Sequence, residues 1–273
     1  MSAVGKSFAP RTRVVSDADV TAYADATGDR VRDGMAPPMV VVLASIADGV
    51  LPTVMLPEVI GDEGRLLRLL HGEEEIVWSS LVRAGDRLTT VATVEAAEEK
   101  GSGELLVIGT RIVNQRDELV ARTRSCLMIR DGKPTSIRAL REEIGGRRER
   151  TIVETFNSTW RVSDDQPERY ARASGDHNPI HLDDAVARKA GVRGRILHGM
   201  CTMAFAQRTV VDALTGGDPR RLASLKVRFT KPVYPGDTLT CAGGLLENGD
   251  GFGLEVRNQD GLVVLRDAVA IIR

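Results

Sequence analysis

The stretch "RASGDHNPIHLDDAVARKAGVRGRILHGMCT", residues 172–202, gathers the side chains best suited to proton chemistry. Asp176 and His181 stand five residues apart with Asn178-Pro179 between them, and His198-Gly199 follows 17 residues after His181. Pro179 fixes its own φ and biases Asn178 toward an extended conformation. The spacing therefore predicts a rigid, kinked segment that aims a carboxylate and an imidazole at one point. Aimed at a single water, such a pair is a general acid/base, and the carboxylate also selects the imidazole tautomer. The alternative is structural: Asp176 caps the helix of "DDAVARKAG" and His181 is a loop residue. Gly199 falls where an apolar helix is predicted to begin, and the free amides of a helix start attract negative charge. A glycine there also lets a carbonyl oxygen approach the backbone, the requirement of an oxyanion hole. Close helix packing is the competing reason for a glycine. His198 is either a further acid/base or substrate-binding group or a satisfied structural histidine. Cys201 reads as core rather than as a nucleophile, because no base is placed beside it.

These residues belong to a unit used twice. "SDADVTAYADATGD" (16–29) matches "SDDQPERYARASGD" (163–176), "RAGDRLTT" (83–90) matches "YPGDTLTC" (234–241), and "IVNQRDELVARTRSCLMIR" (112–130) resembles "VRNQDGLVVLRDAVAIIR" (256–273). The predicted organisation is an N-terminal unit at 1–133, a charged linker at 134–150 and a C-terminal unit at 151–273. Each unit starts with a short helix. Ser16 and Gly28 frame the first, and a Ser163/Gln166 capping box with Gly175 frames the second. A buried apolar helix follows, "MVVVLASIADGV" or "GMCTMAFAQRTVVDALTGG", and then hairpin strands with turns at "YPGD", "NGDG" and "NQDG". The implied class is α+β, an antiparallel sheet wrapped over a helix, with the two sheets meeting edge to edge.

The copies differ in one place. Asp29 lies 10 residues before Met39, whereas Asp176 lies 24 before Met200, so the second copy holds 14 extra residues and all the polar insert. The first copy has instead gained chain after its helix, including "LPTVMLPEVIG" at 51–61. The first half is accordingly expected to lack polar groups and to house an apolar part of a ligand. Lys226, Arg228 and Lys231 of "SLKVRFTK" form either a patch for a phosphate-bearing carrier or a solvated strand face. His71, in a second "LHG", is expected to be structural.

Composition bounds the rest. Among 273 residues, 27% are charged and the formal net charge is −1, which gives no field for nucleic acid; aromatics at 4% give no base-stacking platform. No stretch is long and apolar enough to span a bilayer, and no signal-peptide core opens the chain. Three cysteines without metal spacing suggest reduced thiols in a cytoplasmic protein. No metal site is expected.

"YARASGDHNPIHLDDAVARKAG" resembles the signature of the MaoC-like (R)-specific enoyl-CoA hydratases, Y-x-x-x-[ST]-G-D-x-N-P-[IL]-H. "ILHGMCT" resembles the "ILHG-L-CT" passage of the hydratase part of peroxisomal multifunctional enzymes, and "FTKPVYPGDTL" fits downstream. The first half, with "LHGEEEIVW…RAGD", resembles the degenerate N-terminal hotdog of two-hotdog members. The resemblance implies a double hotdog with one active site per chain. Asp176 and His181 would be the catalytic pair, Asn178 would order the site and the Gly199 amide would hold the thioester oxygen. The implied activity is reversible hydration of trans-2-enoyl thioesters to (3R)-hydroxyacyl thioesters. No cofactor is implied beyond the coenzyme A or acyl-carrier thioester that is the substrate, and two such chains would form a homodimer. The rival readings are a hotdog thioesterase, for which the buried helix offers no acid before Asp212, and a non-catalytic acyl-binding subunit.

Overall fold

The computed structural model describes residues 3–61, 65, 68–101, 103–130, 155–247 and 249–273; the expected linker at 134–150 lies outside them. The chain forms one ten-stranded antiparallel sheet. Its strands are β1 (Arg11–Val14), β2 (Leu69–Trp78), β3 (Arg87–Lys100), β4 (Gly103–Val113), β5 (Leu119–Arg130), β6 (Phe156–Arg161), β7 (Leu222–Phe229), β8 (Thr238–Leu245), β9 (Phe252–Asn258) and β10 (Val263–Ile272). Their order across the sheet is β1-β3-β4-β5-β2-β7-β10-β9-β8-β6. The halves meet at β2 and β7, with Glu74 opposite Val227 and Ile76 opposite Leu225. Pairing these two strands leaves neither unit with an open edge at the joint. This is the α+β double hotdog anticipated above.

Each unit wraps its sheet over helix. In the first, α1 (Asp17–Thr27) has Ser16 and Asp19 in a reciprocal capping box and ends on Gly28 at φ 63°. In the second, α2 (Gln166–Ser174) ends on Gly175 at φ 80°. The capping box expected at Ser163 does not form. Asp165 occupies the N-cap, and the Ser163 hydroxyl donates to the Asp165 carboxylate at 2.6 Å. With the N-cap moved two residues on to Asp165, Ser163 lies outside the first turn and its hydroxyl accepts no helix amide.

The central helix of the second unit, α3 (Gly199–Leu214), is regular and buried from Met200 to Gln207. Its counterpart is not. The expected helix of "MVVVLASIADGV" is a tight turn over Pro38–Val41 followed by a widened one over Leu43–Val50. The cause lies in Pro52, which has no N–H for the Asp48 carbonyl and whose ring crowds it. The Leu51 amide reaches back five residues, to Ile46, as a π-type turn does. The added chain at 51–60 buries Val54, Val59 and Ile60.

The units also share hydrogen bonds. Gln166 donates to the Ala26 carbonyl, Arg169 to Asp25 O at 2.5 Å and Arg208 to Gly28 O, so the second unit supplies the C-terminal cap of α1. The Tyr23 and Tyr170 hydroxyls, at matching positions of α1 and α2, meet at 3.3 Å. Among the described residues no helix is long and apolar enough to cross a membrane.

Candidate active site

The residues of the polar insert converge at the start of α3. Asn178 has extended backbone (φ −55°, ψ 122°), as the following proline demands, and Pro179–His181 makes a single tight turn. Asn178 Oδ1 accepts the Ile180 amide at 3.2 Å, while the Asn178 amide donates to Asp176 Oδ1 at 3.1 Å. Asn178 therefore shapes the turn and steadies the acid. Asp176 does not cap the following helix, Asp184–Lys189; Asp183 does, accepting the amides of Ala185 and Val186. The structural alternative for Asp176 is thereby removed.

His181 Nδ1 lies 2.9 Å from the Ile196 carbonyl. A carbonyl only accepts, so Nδ1 carries the proton and Nε2 presents a lone pair. Burial holds the His181 imidazole below its ordinary pKa, against the opposing pull of Asp176 and of the Ile196 carbonyl. The neutral, proton-accepting form is thus favoured. One polar atom from each of Asp176, His181 and His198 lies within 4.8 Å of the others. A single water fits among such groups, and the same donor types would suit a metal ion.

His198 is 1% exposed and works inside the wall rather than at the surface of the site. Its Nε2–H donates to the Asp176 carbonyl at 3.0 Å. Its ring stacks on His181 with centroids 3.8 Å apart and lies 4.8 Å from the ring of Tyr170. Burial, and then the neighbouring His181, hold it well below the usual histidine pKa, so it stays neutral. The next residue, Gly199, opens α3. The amides of Cys201 and Thr202 turn back to the His198 carbonyl, which leaves those of Gly199 and Met200 without an acceptor in the helix. A Cβ at residue 199 would lie 3.1–3.3 Å from the Phe229 ring, so only glycine fits without displacing it.

Other candidates stay apart from this cluster. Val227 and Phe229 face the core, so Lys226 and Arg228 project from the opposite face of β7. There Lys226 approaches Glu73 at 3.9 Å, and Arg228 approaches Glu73 and Asp267 at 3.5 and 3.6 Å. Lys231 follows the end of β7, and among the described residues no ion pair is formed by it. Cys201 is fully buried and its thiol is pushed far up by burial, as a core residue rather than a thiolate. His71, expected to be structural, donates Nε2–H to Glu74 Oε2 at 2.9 Å and packs edge-on to Phe229 with centroids 5.1 Å apart. The buried pair Tyr23–Tyr170 escaped sequence reasoning, although the aligned "YADATGD" and "YARASGD" place the two tyrosines at one position.

A tandem hotdog with one acid–imidazole pair at the amide end of a buried helix defines a class of acyl-thioester hydratases and dehydratases. The chain matches the MaoC-like domain over residues 141–264 and the FAS1-like dehydratase domain region over 2–123. It is 31% identical to the probable enoyl-CoA hydratase 2 of Dictyostelium discoideum, covering 82% of this chain and 78% of that protein. It is 34% identical to the 3-hydroxyacyl-thioester dehydratase Y of Mycobacterium tuberculosis, over 73% and 71%. The MaoC-like dehydratase of Phytophthora capsici superposes with a TM-score of 0.78 over 100% of this chain and 97% of that one, at 24% identity. The peroxisomal multifunctional enzyme type 2 of Drosophila melanogaster superposes at 0.75 and 23% identity, this chain spanning 48% of its length. The chain belongs to the MaoC-like hydratase/dehydratase family.

Proposed function

We propose that the protein catalyses reversible syn addition of water to trans-2-enoyl thioesters, giving (3R)-hydroxyacyl thioesters. The observation that carries this reading is the convergence of Asp176 and His181, with its bare Nε2, beside the residue that precedes the free Gly199 amide. Water held between the pair gives its oxygen to the β-carbon. Its proton passes to the pair, and the pair returns a proton to the α-carbon. The Gly199 N–H receives the thioester oxygen as it gains charge; such a donor is typically worth about 3–4 kcal/mol. The thioester already acidifies the α-carbon, so the reaction needs no cofactor and no metal.

Lys231 is the cation of the strand-end set best placed for a carrier phosphate, since Glu73 and Asp267 draw on Lys226 and Arg228. A homodimer belongs to the same reading, supported by the exposed Val77 and Ile271 on the outer face of the central strands. A reducing, cytoplasmic location is supported by three free, buried cysteines. The thioesterase alternative is disfavoured because Asp212, the first acid of α3, is 40% exposed and held by Arg30 and Arg32.

Crotonyl-CoA tests the reading. Loss of the enoyl-thioester absorbance without release of thiol is the expected result. Thiol release would favour a thioesterase, and neither change would favour a binding subunit.

A further inference from the structure

Glu74 of β2 is fully buried in the first unit, and two donors converge on its Oε2: the Ser125 hydroxyl at 2.6 Å and the His71 Nε2–H at 2.9 Å. A carboxylate is costly to bury unless hydrogen bonds hold it. Here they also hold the donor: Oε2 fixes the His71 ring in one orientation, with Nε2 carrying the proton.

Strand β2 is shaped to bring His71 to this place. Strict alternation would put His71 on the outer face with Glu73, which lies opposite Arg228. The pairing of β2 with β5 shifts between His71 and Glu73, so His71 lies opposite Leu127, a core residue. The bulge at Gly72 thereby turns His71 to the inner face. A Cβ at residue 72 would lie 3.3 Å from the Cys126 carbonyl, a closeness that suits glycine. Bulges re-aim side chains in this way, and they are frequent beside active sites.

On the inner face His71 meets the second unit at Phe229. The two rings stand 5.1 Å apart between centroids at an interplanar angle of 64°, the edge-to-face arrangement that aromatic pairs favour. Phe229 is the last residue of β7, one beyond Arg228, where the ladder to β2 ends. The His71 ring supports it where that ladder no longer does. The Phe229 ring in turn fills the space beside Gly199, with Cδ1, Cε1 and Cζ 3.1–3.3 Å from where a Cβ would stand. Ser125, Glu74, His71, Phe229 and Gly199 thus form one continuous series of contacts from the core of the first unit to the amide end of α3.

We propose that His71 is a positioning residue for the reaction in the second unit. Held by Glu74, it keeps the Phe229 ring against Gly199 and so fixes the amide that receives the thioester oxygen. The inference rests on the hydratase reading above and adds a residue of the first unit to that site. His71 touches no reacting atom in this role; it acts through Phe229.

The test is crotonyl-CoA hydration by His71→Ala. The expected result is a kcat lower by about tenfold to a hundredfold with KM unchanged, because a misplaced amide is felt only as the thioester oxygen gains charge. Glu74→Met keeps the length of the side chain without its oxygens and should lower kcat in the same way. Glu74→Gln, whose amide oxygen still accepts the His71 N–H, should restore it. In a Phe229→Leu background His71→Ala should cost nothing further, since the ring through which it acts is gone. A wild-type kcat in folded His71→Ala overturns the inference. So does a raised KM at unchanged kcat, which marks a direct substrate contact, and so does a full additional loss in the Phe229→Leu background. Each of these leaves the hydratase reading intact, whereas failure of the wild type to hydrate crotonyl-CoA overturns that reading and the inference with it. Should His71→Ala not fold, Glu74→Met and Glu74→Gln decide in its place, and equal kcat in the two overturns the inference.

Discussion

Asp29 Oδ1 lies 2.7 Å from the guanidinium of Arg32, and the Asp29 side chain is 1% exposed. Asp29 and Asp176 each follow the glycine that ends the first helix of their unit. In the second unit the acid faces two histidines. In the first, it is neutralised by an arginine that also reaches Asp212 at 2.7 Å. The duplicated unit kept the acid in both copies and gave one of them a structural use.

The first prediction separates these uses. Arg32→Ala leaves Asp29 buried and unpaired; breaking a buried pair typically costs about 3–5 kcal/mol, and the partial exposure of Asp212 places this case near 3. Urea unfolding should show that loss, while kcat for crotonyl-CoA in the folded variant stays at the wild-type value. A large fall in kcat would mean that the first copy is catalytically engaged.

Asp176→Asn should do the reverse. The amide keeps an acceptor for the Asn178 N–H but takes no proton, so kcat should fall by about 10²–10⁴. The melting temperature should move little. Full hydration activity in a folded Asp176→Asn protein would remove the carboxylate from the mechanism.

Gly199→Ala tests the amide end of α3. The new methyl must push into the Phe229 ring, and overpacking of this kind typically costs about 1–3 kcal/mol. It also stands where the thioester oxygen approaches the backbone. Steady-state kinetics should show kcat/KM lowered by about a hundredfold or more, a larger effect than the loss of stability. Unchanged kinetics would place the oxyanion elsewhere.

The tyrosine pair joins the units and should behave as one element. Burial pushes both phenols well above their usual pKa, so both stay neutral. Tyr23→Phe strands the Tyr170 hydroxyl at a cost of about 1–3 kcal/mol, whereas removing both hydroxyls is nearly neutral. A double-mutant cycle by urea unfolding should therefore give a double variant more stable than either single one. Simple additivity would show that the 3.3 Å contact carries no coupling.

Much of this was legible from residue types and spacing. The aligned halves predicted two units and their meeting sheets, and D-x-N-P-x-H predicted the turn because proline restricts its neighbour whatever the fold. Strand parity even separates Lys226 and Arg228 from Phe229, since period two puts them on opposite faces. The widened helix was signalled only by Pro52, and helix propensity alone hides the consequence. The buried polar side chains of the first unit, Glu74 and Ser125 among them, were not legible, and they run against the expectation that this half lacks polar groups. Glu74 and Ser125 are 51 residues apart, and they face each other only because Gly72 is a bulge that shifts β2 against β5. Registers across strands distant in sequence follow from tertiary packing, which no local pattern records.

The stacked histidines predict how stability depends on pH. His181 and His198 both titrate below the ordinary histidine value, mainly because burial disfavours the imidazolium. The unfolded chain takes up protons on them near pH 6.5, where the folded chain does not. Stability is therefore complete above about pH 6.5 and falls as pH drops from there toward the folded values; each histidine contributes a slope of up to about 1.4 kcal/mol per pH unit. The window above about pH 5 is the diagnostic one, because most carboxylates have not yet begun to titrate there. In His198→Gln the side-chain amide can still donate to the Asp176 carbonyl and carries no titrating group. Urea unfolding across this window should give a shallower slope in the variant, by up to half. An identical slope would mean that His198 is protonated in the fold, stacked on a neutral His181.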